Sequence, residues 1–224
     1  MLPVRQLLLA AALTLSCVAE FPALGEQGDP EEPASAGGDA KPAAGSKEGS
    51  KLLLIEPRDL GSPVSVLIPG ARKTVFSAAY QGRLGARHYS REQFRKASPE
   101  GWKAFFEAGK AAAAEHLKSL KPKFVRDDDK VIQYAVITAD HPLTPAVILA
   151  PNFAALFAEK LGEQLLIVIP NRSTVIVFPK FANALDQYSP TLGGLFDDAI
   201  YPASEEIFEL TKDGIRVVGS FRPN

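Results

Sequence analysis

The sequence reads as an α+β domain: a mostly antiparallel sheet built from hairpins, packed against two or three helices. Three observations predict it. Short strand-like runs rich in branched aliphatic residues come in pairs separated by a few turn residues, too few for the crossover that parallel neighbours need. Two longer stretches carry apolar residues at intervals of three and four, the period of a helix with one buried face. Hairpins and helices follow one another irregularly, with no internal repeat, which is the order of an α+β layer structure.

In chain order, Leu52–Ile55 and Val64–Ile68 are strand-like and each is stopped by a proline. Lys73–Tyr80 and Arg83–Tyr89 form a hairpin around a Gln81-Gly82 turn. Ser90 caps a short helix through Lys96. The clearest helix follows Ser98 as N-cap, with Pro99 at the first helical position and Glu100 in the first turn. Its stripe reads Trp102, Phe105, Phe106, Gly109, Ala113, His116, Leu117 and Leu120, with Lys103/Glu107 and Glu115/Lys118 as side-chain pairs. After the acidic turn Asp127-Asp128-Asp129, the run Val131–Ala139 is a central strand. A second helix spans Thr144–Gly162, broken or kinked at Pro151. Leu165–Ile169 and Thr174–Phe178 form an antiparallel hairpin through Pro170-Asn171-Arg172-Ser173. Lys180–Ala199 is helical but interrupted at Pro190 and Gly193-Gly194. Ile207–Leu210 and Ile215–Phe221 close the chain as a hairpin through Lys212-Asp213-Gly214.

Ahead of this domain, taken as residues 52–224, stand two unlike segments. Residues 1–25 have the plan of a secretory signal peptide: one positive charge at Arg5, then an apolar run from Leu7 that reaches only Ala19. That run is well short of the roughly 20 residues a spanning helix needs, so no transmembrane helix is expected in the mature chain. Cleavage sites with small residues are legible after Ala19 and after Gly25. Lipid anchoring at Cys17 is the alternative, but the lipoprotein pattern calls for Leu where Thr14 stands. Residues 26–51 hold Gly, Ala, Ser, Pro, Glu, Asp and Lys with no aromatic or branched aliphatic residue before Leu52, the composition of a disordered linker. Its random-coil reach is about 25–30 Å. The expected location is therefore periplasmic or extracellular.

The hairpin KTVFSAAYQGRLGARHYS, the Trp102 helix ending in AAAAEHLKSL, the strand VIQYAVITAD, the pair GEQLLIVIPNRSTVIVFP and the ending YPASEEIFELTKDGIRVV occur in one order. Over roughly residues 73–221 the chain in this respect resembles the YtpQ-like family of bacterial proteins, a family without an assigned function. The resemblance implies the fold and supplies no catalytic residue. Two positions depart from the family pattern, His116 where an Asn is familiar and Ser173 where an Asp often follows the Pro-x-Arg turn. A family site built on those two groups does not carry over.

Composition narrows the function classes. With 224 residues, 46% apolar and 23% charged, the chain falls in the ordinary globular range, which excludes a disordered tail or a coiled coil. Formal charge is −1, and nothing global recommends a nucleic-acid partner. One cysteine, itself in the export signal, leaves the mature chain no disulfide, no Cys-rich zinc site and no thiol nucleophile. No GxSxG, HExxH, GxxxxGK[ST] or GxGxxG string occurs, and no cofactor is expected. His88, His116 and His141 lack the mutual spacing of local metal motifs, so no metal site is expected. Asp127-Asp128-Asp129 lacks the Gly and Glu of a calcium loop, and Asp197-Asp198 with Glu205-Glu206 reads as segment-end solvation.

Charge is nevertheless segregated. Residues 72–130 carry 14 Lys+Arg against 7 Asp+Glu, a local net of +7, whereas the segments on either side each net −4. Arg83, Arg87, His88, Arg91 and Arg95 form the dense part, and Arg172 projects at a hairpin tip; these six are the candidate ligand-binding residues. The guanidinium fork suits carboxylates and phosphates. The expected function is that of a non-catalytic exported domain binding an anionic envelope polymer, lipid or protein partner. The alternative is a hydrolase whose site is assembled around His141 or His116.

Overall fold

The computed structural model describes residues 49–181, 184–211 and 214–222; residues 1–48, which hold the expected export signal and most of the tether, lie outside them. Among the described residues there are four α-helices and two sheets in which every pairing is antiparallel, so the α+β expectation holds. The first sheet contains β1 (Lys51–Pro57), β2 (Ser65–Leu67), β3 (Thr74–Gly82) and β4 (Gly85–His88). β3 pairs over Thr74–Tyr80 with β1 and shares its other edge between β2 and β4. The second sheet is formed by β5 (Lys123–Arg126), β6 (Ile132–Thr138), β7 (Leu165–Asn171), β8 (Thr174–Pro179), β9 (Glu206–Thr211) and β10 (Gly214–Ser220), in the order β10-β9-β7-β8-β6-β5. The helices are α1 (Arg91–Ala97), α2 (Trp102–Leu117), α3 (Ala155–Leu161) and α4 (Ala184–Asp197).

Strand alternation decides what each face buries. Leu53, Ile55, Phe76 and Ala78 of the first sheet share one core with Ala135, Ile137, Ile167, Val175, Val177 and Phe208 of the second, closed by Phe105 and Leu117 of α2 and Phe157 of α3. On the first sheet's other face, Leu52, Leu54 and Ala79 pack with Ala113, Leu143 and Ala146. The outer face of the second sheet is covered by α4: Tyr188 meets Tyr134 at 5.1 Å and Phe178 at 5.8 Å between ring centroids. A seam ties the sheets together. Val217 N–H donates to Pro69 C=O at 2.9 Å, and a Cβ on Gly70, whose φ is 78°, would stand 2.8 Å from Val217 C=O. Only glycine fits that crossing.

Several elements differ from the sequence-based expectation for local reasons. The first hairpin turns at Arg83-Leu84, since Gly82 still pairs with Gly85. Pairing also begins earlier than Leu52: Gly49 N–H donates to Gln81 C=O, and Gln81 N–H to Ser50 C=O. Ser98 does not start α2. Its N–H donates to Phe94 C=O and closes α1, and Gly101 at φ 86° turns the chain before Trp102. On α2 the pair partner of Glu107 is Lys110, while Glu115 and Lys118 pair as expected. Lys123–Arg126 adds an edge strand, β5, that the sequence-based reading does not contain. The Thr144–Gly162 segment is broken as Pro151 implies, into a 3-10 turn at Pro145–Leu149 and α3. Pro190 does not interrupt α4, which runs through it. Leu185, Tyr188 and Leu192 are buried on its sheet-facing side, and roughly 2 kcal/mol from each offsets the missing hydrogen bond. The final hairpin forms, with Lys212 and Asp213 of its turn outside the described residues.

Candidate functional site

The basic segment folds into a hairpin and a helix laid on one of its faces. Because residue 87 lies across from Tyr80 and alternates with 88, Arg87 shares a face with Tyr80 and Tyr89, while His88 goes to the other side with Ala79. Tyr89 receives Phe94 edge-on at 6.1 Å, which seats α1 on the Arg87 side. A capping box fixes where α1 begins: Gln93 N–H donates to Ser90 Oγ at 3.2 Å and Ser90 N–H to Gln93 Oε1 at 2.9 Å. Arg91 and Arg95 stand one turn apart on α1, and the Arg87 stem lies over Gly82 at the start of the turn bearing Arg83. All four arginines are exposed, and none has an ion pair among the described residues. The neighbouring acid, Glu92, is taken by Lys96 at 2.8 Å. Leu84, at the apex of the turn, is 91% exposed.

His88 and Arg172, the other two candidates, converge on a carboxylate that sequence reasoning did not single out. Glu56 is fully buried near the end of β1. His88 Nε2 lies 2.7 Å from its Oε1, and the Arg172 guanidinium lies 3.6 Å from its Oε2. Ser77 is buried on the adjacent strand, and neither its hydroxyl nor Glu56 Oε2 completes a hydrogen bond. Burial pushes the Glu56 carboxyl up, but the His88 bond, the nearby Ser77 hydroxyl and the charges of His88 and Arg172 outweigh it and hold the pKa below the ordinary carboxylate value. Arg172 is positioned from behind: it lies 4.6 Å over the Tyr201 ring, and its backbone N–H donates to Tyr201 C=O. The hairpin tip thus reaches across to the first sheet and ties the two by charge. The signal available in the sequence was a single charge inside the otherwise apolar strand Leu52-Leu53-Leu54-Ile55-Glu56.

His116 and His141, the residues of the hydrolase alternative, stack with ring centroids 4.2 Å apart. Nε2 of His116 is 3.3 Å from Thr144 Oγ1, whose hydroxyl donates to Ala139 C=O, and His141 Nδ1 accepts from Leu143 N–H. Burial, then the neighbouring His141, push the His116 pKa down to about 4; burial lowers that of His141 as well, partly countered by Asp140. The hydroxyl in reach of His116 belongs to a fully buried threonine. Among the described contacts the pair has the bonding of a packed joint between α2 and the end of β6.

The acidic clusters are also placed. Asp127 accepts from Val131 N–H and from Gln133, closing a turn. Asp197 and Glu205 share Arg222, and Glu206 Oε1 accepts the backbone N–H groups of Arg72 and Lys73. Among the described residues no group of three or more His, Cys, Asp or Glu is arranged to hold a metal ion, and no helix is long and apolar enough to cross a membrane. No family model, curated protein or solved structure matches the chain.

Proposed function

We propose that this chain is an exported, non-catalytic binding domain that attaches to an anionic envelope surface through Arg83, Arg87, Arg91 and Arg95. The observation that carries the reading is that, among the described residues, none of these four arginines has an ion pair. Two glutamates of the acidic C-terminal half are engaged elsewhere: Glu205 with Lys73 and Arg222, Glu209 with Lys180 and Arg216. The four arginines keep their charge for a partner. Exposed Leu84 at the apex adds an apolar contact, which favours a lipid surface over a soluble polymer. Each arginine near an anionic leaflet contributes about 1 kcal/mol. Export, and kinship with the YtpQ-like family, belong to the same proposal and rest on the sequence of residues 1–25 and of about 73–221.

The test is co-sedimentation of the mature chain with phosphatidylcholine vesicles, with and without phosphatidylglycerol, at low and high salt. Binding is expected only to the anionic vesicles, weakening as salt screens the charges. The Arg87→Gln/Arg91→Gln/Arg95→Gln variant is expected to lose it. Unchanged binding by that variant would overturn the proposal.

A further inference from the structure

A cleft of about 630 Å³ lies away from the arginine face, where β1 ends, β3 begins and the chain approaches β9. One part of its lining is apolar: Pro57, Leu60, Phe196 and Pro202. The rest presents hydrogen-bond donors. Arg58 and Arg72 line it without any ion pair among the described residues, and Lys73, held by Glu205 at 2.8 Å, stands beside them. Of the acidic lining residues, Glu205 is thereby occupied and Asp59 remains, so the cations are in excess.

Proton counting adds one donor at the floor. Thr74 Oγ1 and Ser204 Oγ, both buried, are 2.7 Å apart, and Ser204 Oγ also accepts Glu206 N–H at 2.9 Å. The two hydroxyls own two protons and spend one between them. Whichever of the two donates, the other O–H has no acceptor among the described contacts, and both residues line the cleft. A buried donor with no acceptor is costly unless something accepts from it. The backbone that carries Arg72 and Lys73 is in turn fixed by their N–H bonds to Glu206 Oε1.

We infer that this cleft binds a small amphiphilic carboxylate, its apolar body against Leu60, Phe196 and the two prolines and its head on Arg58, Arg72 and the spare hydroxyl. Of the lining side chains left without an ion pair among the described residues, all the polar ones except Asp59 can donate, so the polar end of the ligand must accept. The modest excess of cations over Asp59 matches one negative charge better than two. The volume lies within the range of ordinary small-molecule pockets and is too small for a polymer.

Calorimetric titration of the mature chain with decanoate, kept below its micelle concentration, tests this. Saturation at one decanoate per chain is expected, with decanol and inorganic phosphate each at least tenfold weaker. Arg58→Gln/Arg72→Gln should weaken decanoate by at least tenfold while leaving the fold intact, because both residues are exposed. Leu60→Ser, also at an exposed position, should weaken decanoate and decanol alike. No saturation, decanol as tight as decanoate, or indifference to Arg58→Gln/Arg72→Gln would each overturn the inference. The Arg87→Gln/Arg91→Gln/Arg95→Gln variant should titrate like the parent, so failure of vesicle binding and failure of this site are separate results.

Discussion

Glu56 on β1 and Arg172 at the tip between β7 and β8 face each other across the two sheets at 3.6 Å, with His88 holding the other carboxylate oxygen at 2.7 Å. The carboxylate is buried, whereas His88 and Arg172 both reach partly into solvent. Removing a buried charge strands its partners, which costs more than the intact pair contributes. Glu56→Gln is therefore expected to destabilise the fold by about 3 kcal/mol, measured as a shift in urea midpoint at unchanged slope. A loss under about 1 kcal/mol would mean that solvent already screens the contact. In a double-mutant cycle with Arg172→Gln, the two losses should not add.

Acid should weaken the fold through its buried histidines. The unfolded chain takes a proton at His116 near the ordinary value of 6.5, the folded one only near 4. Between those values the unfolded state holds more protons, so stability falls as pH drops through that window. His141 shifts in the same direction. The lowered Glu56 pKa acts later: its contribution is present above the unfolded carboxylate value and is lost as pH falls through the folded one. His116→Gln should shrink the stability difference between about pH 7 and pH 5. An unchanged difference would show that the stacked pair is not its source.

Two helix glycines should respond oppositely to alanine. A Cβ on Gly109 of α2 would stand 2.6 Å from Leu53 Cβ, whereas one on Gly194 of α4 meets nothing within 4 Å. Gly109→Ala is expected to cost about 1–3 kcal/mol despite the helical preference of alanine. Gly194→Ala should gain up to about 1 kcal/mol. Thermal unfolding of both variants reads the signs directly; a stabilising Gly109→Ala would refute the close approach of α2 to β1.

Leu84→Ser separates lipid from polymer as the partner of the arginine face. At so exposed a position the change in stability should stay within about 0.5 kcal/mol. Attachment to anionic vesicles should drop several-fold, while retention on dextran sulfate should not move. Equal loss on both would place Leu84 outside any bilayer contact.

Period and punctuation made most elements legible. Ser90 marks the start of α1, and the spacing of Phe105, Gly109, Ala113 and Leu117 marks the buried side of α2. Ser98-Pro99-Glu100 misled because a serine that ends one helix and a serine that begins another look alike until Gly101 turns the chain. Pro190 misled because burial of Tyr188 and Leu192 outweighs local preference. Pairing between distant strands was not legible, and with it went the site around Glu56. His88 and Arg172 stand 84 positions apart in the sequence, and only the meeting of two sheets makes them neighbours.

The seam between the sheets also sets an order in time. Thr74 is bonded to Ser204, the Arg72 backbone to Glu206 and Pro69 to Val217, so the strands made first are completed by partners 130 positions or more downstream. A chain synthesised from its N-terminus cannot close the first sheet's flank until β9 and β10 exist, and such long-range closure is slow. Its early strands wait, unsealed, until β9 and β10 have been made. Folding that is held back until those late strands exist is the behaviour that the proposed export of this domain would need.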